Sequence, residues 1–373
     1  MKFIAILFSL LVFVGCQNNK TKSVQENKAY PFFVGTYTDG ESQGIYKYLL
    51  EDNGTLKQIG LAAITDNPSF LSISADKRFL VAVNENKQEG NKGSVASFLI
   101  SEDTLAFISK SPSGGDHPCF VSVNEAGYVL SANYTGGNVG LLKMDNDGEL
   151  SEVLDVQQHI GSGITDRQKS PHAHSSWFEP GNNGIISVDL GTNELWFSQL
   201  DTIQNKLLPS NPQKISMAPG AGPRHLTFHP NGKWVYVVNE LDCTVTLLLK
   251  TDKGTYQPGA SISTLPTDIV ESYSCADIHV SLDGKFVYAS NRGHNSIAIL
   301  GVNPNDGTLN LLGNEPTHGN SPRNFSLSPD NCYLLVANQL TNNIVSFKRD
   351  QSTGLLKYVN EIEAPTPVCI LFQ

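Results

Sequence analysis

Beyond residue 30 the chain alternates short apolar runs with clusters of Gly, Pro, Asn and Asp. That rhythm predicts strands joined by tight turns rather than helices. A longer repeat is laid over it. A small or polar residue and usually Pro open an alternating apolar strand; a turn with Asp, Asn or Gly leads to a second strand ending near Asn. Copies start at Pro68, Pro118, Pro171, Pro223, Ala276, Pro322 and Pro367, at spacings of 50, 53, 52, 53, 46 and 45 residues. Each continues through a third strand, such as Thr244 to Leu249 or Ser296 to Leu300, and a weaker fourth after a turn such as Asn305-Asp306-Gly307. Seven four-stranded units of that size predict an all-β fold, a seven-bladed β-propeller.

The last copy stops after Phe372 and lacks its later strands, whereas Phe32 to Tyr37, Gly44 to Leu50 and Leu56 to Gly60 form a unit lacking its first. The C-terminal strand is therefore expected to close the ring against the N-terminal strands, removing two sheet edges. Within each inner hairpin, residues facing one another share a constant index sum. With Asn231-Gly232 as the turn that sum is about 463, which sets Glu240 beside Pro223 and Arg224. The same count sets Arg292 near Cys275 and Ala276, Asp189 near His174, and Asn338 near Arg323, all at one mouth of the central channel. His117, just before Pro118, shares that mouth, while His229 belongs to a turn at the other.

That mouth gathers His172, His174, Arg224, His225, Glu240, Asp277, His279, Arg292 and Arg323 from a chain with only 26 Lys plus Arg and nine His. Charged groups are costly to bury unless they pair or bind something, and converging guanidiniums suit an anionic ligand. Arg224 and Glu240 could instead be a simple ion pair stapling one blade. His172 and His174 form an H-x-H pair, but no third ligand stands at a compatible spacing, so no metal is expected. No G-x-S-x-G elbow, P-loop or dinucleotide fingerprint occurs, and no cofactor is expected.

Composition narrows the setting. With 39% hydrophobic and 17% charged residues the chain is too apolar for disorder, and a net charge of −10 argues against a nucleic-acid partner. Lys2 precedes an apolar run from Phe3 to Val14, and Gly15-Cys16 leads at once into polar sequence. This reads as a signal peptide over 1–15, with Cys16 resembling the lipidated residue of a bacterial lipoprotein and 16–30 a polar tether before the propeller of 31–373. The expected location is outside the cytoplasmic membrane, with the lipid anchor the only membrane contact. Cys119, Cys243, Cys275, Cys332 and Cys369 show no C-x-x-C spacing and read as free thiols.

Three stretches carry a family resemblance: Gly220-Ala221-Gly222-Pro223-Arg224-His225 with Val238-Asn239-Glu240-Leu241, Ala276-Asp277-Ile278-His279 with Asn291-Arg292, and Ser321-Pro322-Arg323-Asn324-Phe325. Together they resemble the seven-bladed lactonase family, which includes propeller-type 6-phosphogluconolactonases and the carboxy-cis,cis-muconate cyclising enzyme. The resemblance implies that His174, Arg224 and Glu240 occupy active-site positions, with Arg292 or Arg323 as a further arginine. It implies a lactone hydrolase with Glu240 or His174 as base and Arg224 facing the developing oxyanion. Arg292 and Arg323, with His172, Asp277 and His279, would bind a small anionic lactone or sugar acid. A carboxymuconate-cyclising lyase and a non-catalytic binding propeller are the alternatives.

Overall fold

The computed structural model describes residues 28–86, 93–267, 269 and 273–373. The proposed signal peptide and Cys16 lie outside the described residues. Seven four-stranded antiparallel sheets stand in a ring. Blade 1 runs outward from Pro367–Phe372 through Tyr30–Thr36 and Gly44–Leu50 to Leu56–Ile64, so the C-terminal strand supplies the innermost position as expected. Blades 2 to 7 begin with the inner strands Leu71–Ile73, Pro118–Val123, Ala173–Phe178, Pro223–Phe228, Ser274–Val280 and Pro322–Leu327.

The second strand of each blade is buried on both faces, and the core lies between blades. Ile186, Val188 and Leu195 of blade 4 pack against Leu226, Val235 and Val237 of blade 5 in one cluster. Outermost strands alternate with solvent, as in Leu105–Pro112. A serine and an aspartate build the inner hairpin turn repeatedly. Ser281 Oγ donates to Asp283 Oδ1 (2.6 Å), which also accepts the Lys285 amide (3.0 Å), and the same geometry recurs at Ser74/Asp76 and Ser328/Asp330.

Two backbone devices shape the mouth. The residue before the strand-opening proline is left-handed in five blades: Asn67, His117, Gly222, Ser321 and Thr366 all have φ between 42° and 64°. The first or second residue of the inner strand then bulges. Pro223 pairs with Asn239 but His225 with Val238, which leaves Arg224 unpaired. Equivalent breaks leave Cys119, His174, Arg323 and Val368 unpaired. A bulge next to a site re-aims a side chain, and here it repeats around the hub.

Blade 6 departs from the expected register. Cys275 pairs with Asn291, the place Pro223 takes opposite Asn239, so Cys275 and not Ala276 opens the blade. Cys243, Cys275, Cys119 and Cys369 are buried free thiols, and Cys332 is half-buried and free.

Candidate active site

The mouth holds a cavity of about 710 Å³ lined by three sets of side chains. Bulge residues Cys119, His174 and Arg323 are the first, and Asn67 and His117, before the prolines, are the second. The third stands at the end of the second strand in six blades: Arg292 is the last residue of its strand, and Tyr37, Glu85, Tyr134, Glu240 and Gln339 directly follow theirs. In five blades Asn precedes that residue, and in four of them its buried amide fixes what comes next. Asn84 Nδ2 donates to the Asp66 carbonyl (2.6 Å), Asn133 Nδ2 to that of Ser113 (3.1 Å), Asn291 Nδ2 to that of Thr264 (3.2 Å) and Asn338 Nδ2 to that of Thr317 (3.0 Å). Each bond ties the blade to the loop arriving from its neighbour.

Glu240 is the electrostatic centre. Its carboxylate lies 3.0 Å from Arg224 Nε, 3.0 Å from Arg292 Nη2 and 3.2 Å from Arg167 Nη2. Burial pushes its pKa up, but Arg292, Arg224, Arg167 and Arg323 outweigh that and bring it down to about 2. Arg224 is almost fully buried beneath it, its Nη1 donating to the Ala276 carbonyl and standing 3.4 Å from His225 Nε2. Burial, then Arg292 and Arg323, bring Arg224 down to about 10. Arg224 lies below the cavity lining, in a small void shared with His225 and Asn324. Arg292 lines the cavity, anchored by Nη2 on the Cys275 carbonyl (2.8 Å), and its buried Nε has no partner among the described residues.

A second network faces the first. Arg323 Nη2 donates to Tyr37 OH (2.8 Å), Tyr37 OH donates to Glu85 Oε2 (2.8 Å), and Glu85 Oε1 is 2.8 Å from His117 Nε2. Burial raises the Glu85 pKa, but His117 and Arg323 lower it further. No carboxylate lies within ion-pair distance of Arg323 among the described residues. His174 lines the cavity with Nδ1 3.7 Å from Cys119 Sγ, which leaves Nε2 for a ligand. Burial, then Arg224, His225 and Arg323, hold His174 well below 6.5, so it is neutral at pH 7.

The hub thus brings His174, Glu240, Arg292 and Arg323 around one cavity with Arg224 directly beneath. Three expected residues sit elsewhere. Asp277 and His279 do not line the cavity, because the one-residue shift in blade 6 carries them deeper along the strand. Asp277 there accepts from His225 Nδ1 (2.8 Å), His279 Nε2 (3.1 Å) and Asn324 Nδ2 (2.6 Å). Burial opposes its ionisation, but His279 and His225 hold its carboxyl far below the usual range. His172 stacks on Tyr134 (4.5 Å between centroids) with Nδ1 on the Tyr134 carbonyl (3.0 Å), supporting that ring rather than facing the cavity. The bulge at His174 also turns the H-x-H pair onto different partners, and no cluster of three metal-ligating side chains occurs among the described residues. Sequence reasoning missed Tyr37, Glu85, Tyr134 and Arg167.

The lactonase, 7-bladed beta-propeller family model matches residues 31–372. The chain belongs to this family. This lactonase-family propeller is 36% identical to the 6-phosphogluconolactonase of Bacillus subtilis over 349 residues, covering 92% of this chain and 98% of the relative. It is likewise 36% identical to a 6-phosphogluconolactonase of Formosa agariphila, over 87% and 94% of the two chains. Among solved structures, the periplasmic gluconolactonase of Pseudomonas aeruginosa superposes with a TM-score of 0.88 at 29% identity, covering 92% of this chain and 99% of that one.

Proposed function

We propose that this lactonase-family propeller hydrolyses a sugar lactone carrying negative charge. One observation carries the reading: a neutral imidazole and unsaturated guanidiniums converge on one polar cavity at the channel mouth. Lactone opening needs a base for the attacking water and positive charge facing the carbonyl oxygen as it becomes an oxyanion.

His174 is the base in this reading. Glu240, at about 2, is ionised but too weakly basic to draw a proton from water. His174 Nε2 takes the water proton while the water oxygen bonds to the carbonyl carbon. The negative charge on the carbonyl oxygen falls to Arg292 and Arg323. When the ring C–O bond breaks, the leaving oxygen recovers the proton from His174, whose cationic form is disfavoured by burial and by Arg224. Arg224 acts through Glu240, which holds Arg224 and Arg292 in place. The names of the relatives, 6-phosphogluconolactonase and gluconolactonase, support the substrate class. Proton release on adding gluconolactone or its 6-phosphate tests the activity. Turnover lost in His174→Gln supports the reading; a carboxymuconate consumed while both lactones persist overturns it.

We also infer export with a lipid on Cys16, supported by the signal pattern and by the word periplasmic in the Pseudomonas relative's name. Tyr30 begins the strand whose other end, Thr36, meets Pro367 at the cavity mouth, so the tether joins the face opposite the cavity. The site would then face away from the bilayer. Palmitate labelling abolished by Cys16→Ser supports the anchor, and an unlabelled wild-type protein refutes it.

A further inference from the structure

The segment 159–172, which crosses from blade 3 to blade 4, is a rigid perch rather than a loose loop. At its root His159 is buried, with Nδ1 2.7 Å from Asp189 Oδ2 and its ring stacked on Trp196 at 4.3 Å. At the other end Gln168 is fully buried, donating to the Leu190 carbonyl (2.9 Å) and Asn193 Oδ1 (3.1 Å). Thr165 and Gln168 close a capping box around a single 3₁₀ turn, Asp166–Gln168. Arg167, between these anchors, therefore has a fixed origin. Its Nη2 donates to Tyr134 OH (2.8 Å) and Glu240 Oε1 (3.2 Å) across the cavity wall.

Two facts separate Arg167 from the deeper arginines. Its side chain is 55% exposed, against 3% for Arg224 and 17% for Arg292, so it stands where the cavity opens to solvent. Its Nε and Nη1 make no hydrogen bond among the described residues, which leaves a guanidinium edge for an oxyanion. The charges point the same way. Arg167, Arg224 and Arg292 share one buried carboxylate, Glu240, and the exposed Asp39 and Asp66 that also line the cavity form no ion pair with any of them. We propose that Arg167 determines specificity for a second anionic group, phosphate or carboxylate, at the end of the lactone remote from its carbonyl. This rests on the lactonase reading and adds a substrate requirement to it.

The test compares wild type, Arg167→Gln and Arg167→Lys on gluconolactone, gluconolactone 6-phosphate and glucarolactone. Wild type is expected to prefer at least one charged lactone. Arg167→Gln should raise its KM tenfold or more with kcat changed under threefold, and Arg167→Lys should recover part of the loss. The preferred anion identifies phosphate or carboxylate. Equal losses on charged and neutral lactones overturn the proposal and leave the lactonase reading intact, whereas a wild type that favours the neutral one overturns both the proposal and the negative charge assigned to the substrate, with lactone hydrolysis itself upheld. If no lactone is hydrolysed, the lactonase reading fails, and calorimetry with 6-phosphogluconate and glucarate still decides on Arg167. Binding weakened tenfold by Arg167→Gln supports its role, and unchanged or absent binding overturns it.

Discussion

Replacing Glu240 with Gln removes one negative charge from among three guanidiniums while keeping shape and one acceptor oxygen. The carboxyl sits at about 2 instead of 4.5, and at about 1.4 kcal/mol per pH unit that difference is worth about 3 kcal/mol. Breaking a buried ion pair from one side typically costs about 3–5 kcal/mol, a separate route to the same size. The sign follows from the depressed pKa. The contribution is complete above about 4.5 and is lost as pH falls through about 2. For a propeller of about 340 residues, unfolding entropy near 2 cal/mol/K per residue converts about 3 kcal/mol into a melting decrease of about 4 °C. Thermal melts of wild type and Glu240→Gln at pH 7 should show that gap, and melts at successively lower pH should show it closing. An unchanged or raised melting temperature at pH 7, or a gap that does not respond to pH, would refute the assignment of Glu240 as the ionised centre of the arginine cluster.

Four further outcomes follow from the same geometry. His174→Gln should lower kcat by about 10²–10⁴ with melting within 2 °C of wild type. Because His174 is held well below 6.5 and works as the neutral base, kcat/KM should stay level down through pH 6.5 and fall only at lower pH; an acid limb at or above 6.5 contradicts this. Asp277→Asn should destabilise by about 3 kcal/mol or more, since His225, His279 and Asn324 all donate to that carboxylate; a melt unchanged at pH 7 sinks the idea. Removing residues 367–373 takes away the inner strand of blade 1, which pairs with Tyr30–Thr36 and buries Cys369. The truncated chain should lose its cooperative melt, and a soluble product melting like wild type would show that ring closure contributes little.

The architecture was legible because blade spacing and strand alternation are properties of composition along the chain, and the C-terminal closure followed from two incomplete units that sum to one. The placement of chemistry was only half legible. Index arithmetic assumes one residue opposite one, so it brought Glu240 to Arg224 and Arg292 to Cys275, yet it could not register the bulges that lift Arg224, His174 and Arg323 out of the ladder. In blade 6 the inner strand opens at Cys275, one residue earlier than the repeat count places it, and that shift sets Asp277 and His279 beneath the cavity floor. Tyr37, Glu85 and Tyr134 escaped for another reason: each stands alone in its sequence neighbourhood, with no motif around it. A signal for two of them was present, because Glu85 and Tyr134 follow strand-ending Asn84 and Asn133 just as Glu240 follows Asn239. Arg167 had none. It belongs to no repeat, and its position comes from tertiary anchors, Gln168 on Asn193 and His159 on Asp189, that join residues 25 and 30 apart. Repeated backbone devices thus assemble the floor of the site from all around the ring, while the element that breaks the repeat contributes the exposed arginine, and it is at such non-repeating positions that members sharing this frame can differ in what they bind.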